Sequence, residues 1–268
     1  MIGVYDSGFG GLTVMRELRR ALPEQDFLYL GDSLRAPYGG RDAHVILDLA
    51  ERCVERLRAE GCRLIVVACH TVSCVALRHL QRRYVRDLAA ERILGVTIPA
   101  AEAAVERGWR QIGFFGTART VSSGTFAAEV AKLSAARVTA VAAPLLAPIV
   151  EEGWEGDEIA RLAVARYVDR LGPMDGIVLG CTHYPLLMPA FRAATRLPLL
   201  DPAHFVAGRL VDWLARHPGF STRGTGRLRV LCTGDPVAFG GHGSRFLGEP
   251  LGSVESVETS EDAGQLVR

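Results

Sequence analysis

Two apolar runs in this chain end alike. IVVACHT, residues 65 to 71, closes on Cys69, His70 and Thr71, and IVLGCTHYP, residues 177 to 185, closes on Cys181, Thr182 and His183. A thiolate is a strong nucleophile and a usable base near neutral pH, and an adjacent imidazole tunes it. A single cysteine after a buried run reads most simply as a small core residue. The same arrangement twice reads as the two sides of one reaction centre. Two thiols facing a small substrate suit proton exchange at a stereocentre: a thiolate takes a proton from one face while a thiol delivers one to the other. A free thiol has a pKa of ~8.5, so each needs neighbours that adjust it for its half of the exchange. Asp6 and His183 are the candidates for that task.

Other chemistries fit these residues less well. A cysteine hydrolase needs one thiolate, a histidine base and an oxyanion hole, which leaves the second cysteine unexplained. Cys69, His70, Cys181 and His183 are all good zinc ligands, but neither Cys-x-x-Cys nor His-x-x-x-His spacing occurs. Pyridoxal phosphate, the electron sink of many racemases, needs a lysine for its Schiff base. The only lysine is Lys132, mid-helix in AAEVAKLSAA and away from every strand end. No cofactor and no metal are therefore expected.

The elements that would carry these groups alternate from end to end. Strands read at IGVYD, DFLYLGD, RLIVVAC, RILGVTI, RQIGFFGT, RVTAV, DGIVLGCT, PLLD and RLRVLCTGD, with a last short strand near the C-terminus. Helix-period segments run through Leu12, Met15, Leu18 and Leu22, through Leu49, Cys53 and Leu57, from near Val72, and over about 118 to 134, 158 to 171 and 203 to 216. This alternation argues for an α/β fold with parallel sheets, helices on both faces and a ligand at the carboxyl ends of the strands. Asp6, Ser7, Thr117 and both cysteine clusters fall at such ends. Asp, Ser and Thr there also cap helices, so singly they say little. Cys53, Cys62, Cys74 and Cys232 lack the pattern and read as core. DSGFGGLT, between a strand and a helix, suits a small anion on backbone N–H groups. It lacks the Gly-Lys-Ser/Thr of a nucleotide loop, and Thr13 stands where a dinucleotide loop has its third glycine. GVTIPAAE, 95 to 102, and HPGFSTRGTGR, 217 to 227, read as linkers.

At 268 residues the chain can form one large or two modest domains. Its net charge of +1 argues against direct nucleic-acid or membrane-surface binding. No run approaches the ~18 to 20 apolar residues of a membrane span. MIGVYDSG leads straight into a strand, so a cytoplasmic protein with six reduced thiols is expected.

With these residues in view, the chain resembles the two-cysteine glutamate racemases of the cofactor-independent aspartate/glutamate racemase family. The resemblance rests on DSGFGGLTV, GDSLRAPYGGR, ACHT, GTARTV, PIVEEG, LGCTHYPLL, DPA and CTGDP, in this order. It implies reversible conversion of L- and D-glutamate, supplying the D-isomer for peptidoglycan. Cys69 would take the α-proton of D-glutamate with help from Asp6, and Cys181 that of L-glutamate with help from His183, itself oriented by Glu151. Asp6, Ser7, Pro37, Tyr38, Gly39, His70, Thr71, Thr117, Thr120, Thr182 and His183 would hold the substrate. The resemblance further implies two similar doubly wound α/β domains with the site in the cleft between them, residues 1–95 plus 208–268 and residues 96–207, and a homodimer.

One departure matters. The family reads Cys-Asn-Thr-Ala where this chain reads Cys69-His70-Thr71-Val72, and the chain has no asparagine at all. An imidazole is larger than an amide and, if protonated, would favour the Cys69 thiolate. It leaves open a racemase of aspartate or another amino acid. From a different class, the rival is a fold-retaining binding protein. Some glutamate racemases also inhibit DNA gyrase, a role that would act here through protein partners.

Overall fold

Runs such as Ile2–Asp6 and Gly176–Gly180 are buried along their whole length, which requires cover on both faces of a sheet. The computed structural model, which describes residues 1–221 and 224–259, supplies that cover with helices. The chain runs β1 (Ile2–Asp6), α1 (Leu12–Ala21), β2 (Phe27–Gly31), α2 (Ala43–Ala59), β3 (Leu64–Val67), α3 (His70–Val75), α4 (Leu77–Tyr84) and β4 (Arg92–Gly95). It continues with α5 (Thr97–Glu106), β5 (Gln111–Gly116), α6 (Ala118–Ser122), α7 (Thr125–Leu133), β6 (Arg137–Ala142), α8 (Leu146–Glu151), α9 (Glu158–Val168), β7 (Gly176–Gly180), α10 (Met188–Ala194) and β8 (Leu199–Leu200). The last part is α11 (Pro202–Arg216), β9 (Leu228–Cys232), α12 (Pro236–Leu247) and β10 (Val254–Ser256).

Every strand pairing is parallel, and the strands form two sheets. One has the order β10-β9-β2-β1-β3-β4 and the other β6-β5-β7-β8. The order β2-β1-β3-β4 thus recurs as β6-β5-β7-β8. Cys69 follows the third strand of one set and Cys181 the third of the other, so the duplicated motif reflects a duplicated topology. In both sets the order reverses at the first strand, β1 or β5, where a doubly wound sheet opens a crevice at its carboxyl end. The C-terminal β9 joins the first sheet beside β2, with Cys232 opposite Gly31.

A single buried cluster runs from Ile2 and Val4 of the first sheet to Phe115, Ile177 and Leu179 of the second. Separate cores built around Ile65 and Val67, and around Phe114 and Val178, fill the other faces. Helix α1 packs on both α11 and α12, and α11 also packs on α5. These helices bind the two sheets together. Helix α11 runs unbroken through residues 207 and 208. No helix among the described residues is long and apolar enough to cross a membrane.

Several expectations need correction. GVTIPAAE is not a linker: α5 starts at Thr97, and Pro99 is tolerated because it lies in the first turn, whose N–H groups lack helical partners. Ala100, Ala101, Ala103 and Ala104 of that helix are buried. The helix expected over 118 to 134 is two helices, broken at Gly124 with φ of +65°. The helix expected from near Val72 begins at His70 and gives way to α4 at Leu77. Helices α8, α10 and α12 were not read, because Pro148, Pro189 and the trio Gly240, Gly241 and Gly243 weaken the helical signal. In the second expected linker, Pro218–Phe220 forms a 3₁₀ turn. Residues 222 and 223 of that linker, and 260–268 at the chain end, lie outside the described residues.

Candidate active site

The carboxyl ends of β1, β3, β5 and β7 converge on one cavity of about 730 Å3, counted to its open mouth. Its wall includes Ser7, Pro37, Tyr38, Gly39, Cys69, His70, Thr71, Thr117, Glu151, Cys181, Thr182 and His183. Ala36, Ala118, Pro144, Ala147 and Pro148 give the rest of the wall an apolar character. Among the described residues, no lysine or arginine lines it. Lys132 pairs with Glu129 at 2.8 Å on α7. Among the described residues, no group of three or more His, Cys, Asp or Glu is placed to hold a metal ion.

On the first side Cys69 sits just before α3, 5% exposed. Burial, reinforced by the negative charge of Asp6, pushes its thiol up to about 12. The Ser7 hydroxyl, 3.4 Å from Sγ, and the Val72 backbone N–H pull the other way. Asp6 ends β1 fully buried, its Oδ2 accepting the Gly8 N–H at 3.0 Å and its Oδ1 without a partner. Burial raises the Asp6 pKa against the opposing charge of His183 and the N–H groups of Gly11 and Gly8. Asp6 therefore stands behind the cavity wall rather than in it.

The second side is more polar. Cys181 Sγ lies 3.7 Å from His183 Nδ1, and His183 Nε2 lies 3.0 Å from Glu151 Oε1. Burial alone would lower the imidazole pKa, but hydrogen bonds to Cys181 and Glu151, with their negative charge, outweigh it and raise it to about 10. Glu151 is the last residue of α8. The edge of the Phe246 ring packs on the imidazole, with centroids 5.1 Å apart. Phe246, on the unread helix α12, had no legible signal in the sequence.

The glycine-rich loop also packs against the neighbours of the second thiol. Only Ser7 and Gly8 of it line the cavity. A Cβ on Gly10 would lie 2.4 Å from Thr182 Oγ1 and 2.5 Å from His183 Cε1, so the missing side chain lets the loop press on the second thiol's neighbours. The Thr13 hydroxyl adds a hydrogen bond to the Thr182 carbonyl at 3.1 Å.

The hydroxyl residues divide by position. Thr71, Thr117 and Thr120 form a triangle with Oγ1 separations of 3.0, 3.1 and 2.9 Å. It stitches α3 of the first sheet to α6 of the second. Thr71 and Thr117 face the cavity, while Thr120 is 1% exposed behind them, buttressing both. The Tyr38 hydroxyl is also turned away: it donates to Asp32 and accepts from Tyr5. Asp32 in turn receives Thr233 at 2.6 Å and Arg35 at 2.7 Å. The segments GDSLRAPYGGR and CTGDP thus meet to hold the loop that carries Pro37, Tyr38 and Gly39. Tyr38 lines the cavity with its hydroxyl already engaged by Asp32 and Tyr5. Gly39 fits because a Cβ there would meet Thr117 Cβ at 2.7 Å.

His70 opens α3 and is 4% exposed, lines the cavity, and neither ring nitrogen has a hydrogen-bond partner. Burial lowers its pKa to about 4, so it is neutral at physiological pH. The expected protonated imidazole beside Cys69 is therefore corrected: desolvation with no nearby anion keeps the proton off. A neutral imidazole still offers one donor and one acceptor. Cys53, Cys62, Cys74 and Cys232 are buried away from the cavity wall.

Residues 2–210 match the Asp/Glu/Hydantoin racemase family. The glutamate racemase of Cereibacter sphaeroides is 39% identical over 265 residues, spanning 92% of this chain and 96% of that protein. The crystal structure of glutamate racemase from Francisella tularensis in complex with D-glutamate superimposes with a TM-score of 0.89 at 26% identity, covering 96% of this chain and 97% of that one. The Thermus thermophilus glutamate racemase, in complex with beta-chloro-D-alanine, gives 0.84 at 39% identity with 96% of each chain covered. Two cysteine clusters on one cavity, the sheets that carry them and these likenesses agree: the chain belongs to the Asp/Glu/hydantoin racemase family.

Proposed function

We propose that this enzyme interconverts L- and D-glutamate by two-base proton transfer between Cys69 and Cys181. The observation that carries the reading is a pair of buried thiols from different sheets on one small cavity, each with its own proton-adjusting partner. From L-glutamate, the Cys181 thiolate, held by the His183 imidazolium, takes the α-proton. The Cα–H bond breaks and an S–H bond forms. The Cys69 S–H then breaks and a Cα–H bond forms on the opposite face. D-glutamate runs the same steps backwards, and solvent exchange restores the starting protonation. The substrate's ammonium brings positive charge into the cavity, which favours the Cys69 thiolate that burial and Asp6 oppose in the free enzyme. Hydroxyls of Ser7, Thr71, Thr117 and Thr182 and the loop at Pro37 to Gly39 suit the substrate's polar groups.

Glutamate is proposed because curated relatives near 40% identity carry that activity in their names. D-Glutamate made in the cytoplasm would serve peptidoglycan synthesis. The homodimer belongs to the same proposal. Residues 1–95 with the C-terminal segment, and 96–207, are proposed as the two units that close on substrate.

The test is racemisation followed by circular dichroism on glutamate, aspartate and other amino acids, with His70 variants alongside. Glutamate should turn over fastest, and rates no better than for aspartate would sink the substrate assignment. His70→Ala should raise KM about 10-fold, the order expected for losing a hydrogen bond to a charged group. His70→Asn, restoring the family amide, should raise turnover on glutamate or narrow the substrate range toward it. Unchanged kinetics in both variants would make His70 a space-filling residue.

A further inference from the structure

The Cys181 side is braced by a helix from the opposite sheet's half of the molecule. Helix α12 follows β9 of the first sheet, whereas α8, which ends at Glu151, follows β6 of the second. Arg245 of α12 reaches across, and its Nη2 donates to the Val150 carbonyl at 2.8 Å and to both Glu155 oxygens at 2.9 Å. Val150 is the residue before Glu151, and its carbonyl, among the last of α8, also accepts the Gly153 N–H at 3.0 Å, so the Arg245 bond adds to the turn that closes the helix. An arginine there caps the helix end. The chain turns away directly afterwards at Gly153, with φ of +81°. The N–H groups of Glu152, Gly153 and Trp154 bond back to Pro148, Val150 and Ile149, and Arg245 ties that turn to α12, a brace from outside that a six-residue helix benefits from.

We infer that Arg245 is a positioning residue for the reaction, fixing the end of α8 so that Glu151 stays on His183 Nε2. The groups facing His183 include Cys181 and the Thr182 hydroxyl just after β7, Glu151 from α8, Asp6 from β1 and the Phe246 ring from α12. Arg245 bonds to the end of α8 and to Glu155, and Glu151 is the α8 residue that bonds to the imidazole, so the influence of Arg245 passes through Glu151. The inference rests on the two-thiol reading only for its kinetic consequence. The placement of His183 is independent of it.

The sign follows from Glu151. Its carboxylate raises the His183 pKa, so letting the carboxylate drift away lowers it, and the imidazolium is lost at lower pH. The experiment is NMR titration of labelled histidines in the whole substrate-free protein, with His183 assigned by His183→Gln, and kinetics in parallel. In Arg245→Ala, His183 should titrate at least about one pH unit lower. The alkaline limb of kcat should move with it, and kcat should fall about 10-fold with KM within about twofold. Arg245→Lys, which keeps a donor for the carbonyl, should recover most of both effects. Should the alanine variant not fold, Arg245→Met, which keeps an unbranched stem and removes every donor, should give the same downward movement. A folded Arg245→Ala in which His183 titrates as in the wild type overturns the inference, whatever its thermal stability. A lowered His183 titration in a protein that never racemised glutamate would uphold it and refute the substrate reading instead.

Discussion

Cys69→Ser and Cys181→Ser should each reduce racemisation about 1,000-fold or more, since a hydroxyl is a far poorer base than a thiolate and ~4 kcal/mol of barrier is a factor of that size. The two losses should be comparable although the surroundings differ. Cys69 lies in a buried, anionic setting that pushes its thiol up to about 12, whereas Cys181 abuts an imidazole raised to about 10. In the proposed reaction each turnover uses both thiols, so neither environment could spare its partner. Serine at Cys53, Cys62, Cys74 or Cys232 should leave turnover intact and cost only stability, as expected for a buried hydroxyl off the cavity. Rates measured on folded protein by circular dichroism decide the matter. Near-wild-type racemisation by Cys181→Ser would end the two-base account.

Gly10→Ala should be nearly as damaging, though glycine has no chemistry to lose. The added methyl would stand 2.4 Å from Thr182 Oγ1, 2.5 Å from His183 Cε1 and 2.6 Å from His183 Nδ1. Something must shift, and the groups that shift are those that set the Cys181 proton. Displacement of an acid–base group by an ångström costs about 100-fold, so kcat should fall by that order. Overpacking should also remove about 1 to 3 kcal/mol of stability. Gly156→Ala, with open space around it, is the matched control and should keep wild-type kinetics. A Gly10→Ala enzyme with normal kcat would mean that the loop yields without moving His183.

The sequence made the two thiols legible because each ends a run of buried strand residues, and β-strands expose chemistry only at their ends. The repeated order β2-β1-β3-β4 and β6-β5-β7-β8 gives the physical reason that the motif appears twice. Asp6, Thr71, Thr117, Thr182 and His183 were legible for the same reason. What a residue does there was less so. Tyr38 lines the cavity and Thr120 lies behind it, and their hydroxyls pair with Asp32 and with the other threonines. Pairing of that kind depends on segments distant in sequence, as when Thr233 meets Asp32. The charge on His70 was misjudged because desolvation is a property of the packed core, invisible in the string CHT. The support from α12 was missed outright: three glycines disguise the helix, although Arg245 and Phe246 follow within a few residues.

The most direct test of the central claim is where solvent hydrogen enters. L-Glutamate racemised in heavy water, sampled during the first turnovers and read by α-proton NMR, should give D-glutamate that carries deuterium from its earliest appearance. The remaining L-glutamate should keep its α-protium much longer, because the proton taken by Cys181 is not the one returned by Cys69. Product retaining protium, or both isomers gaining deuterium at equal rates, would mean that one base serves both faces and would contradict the account.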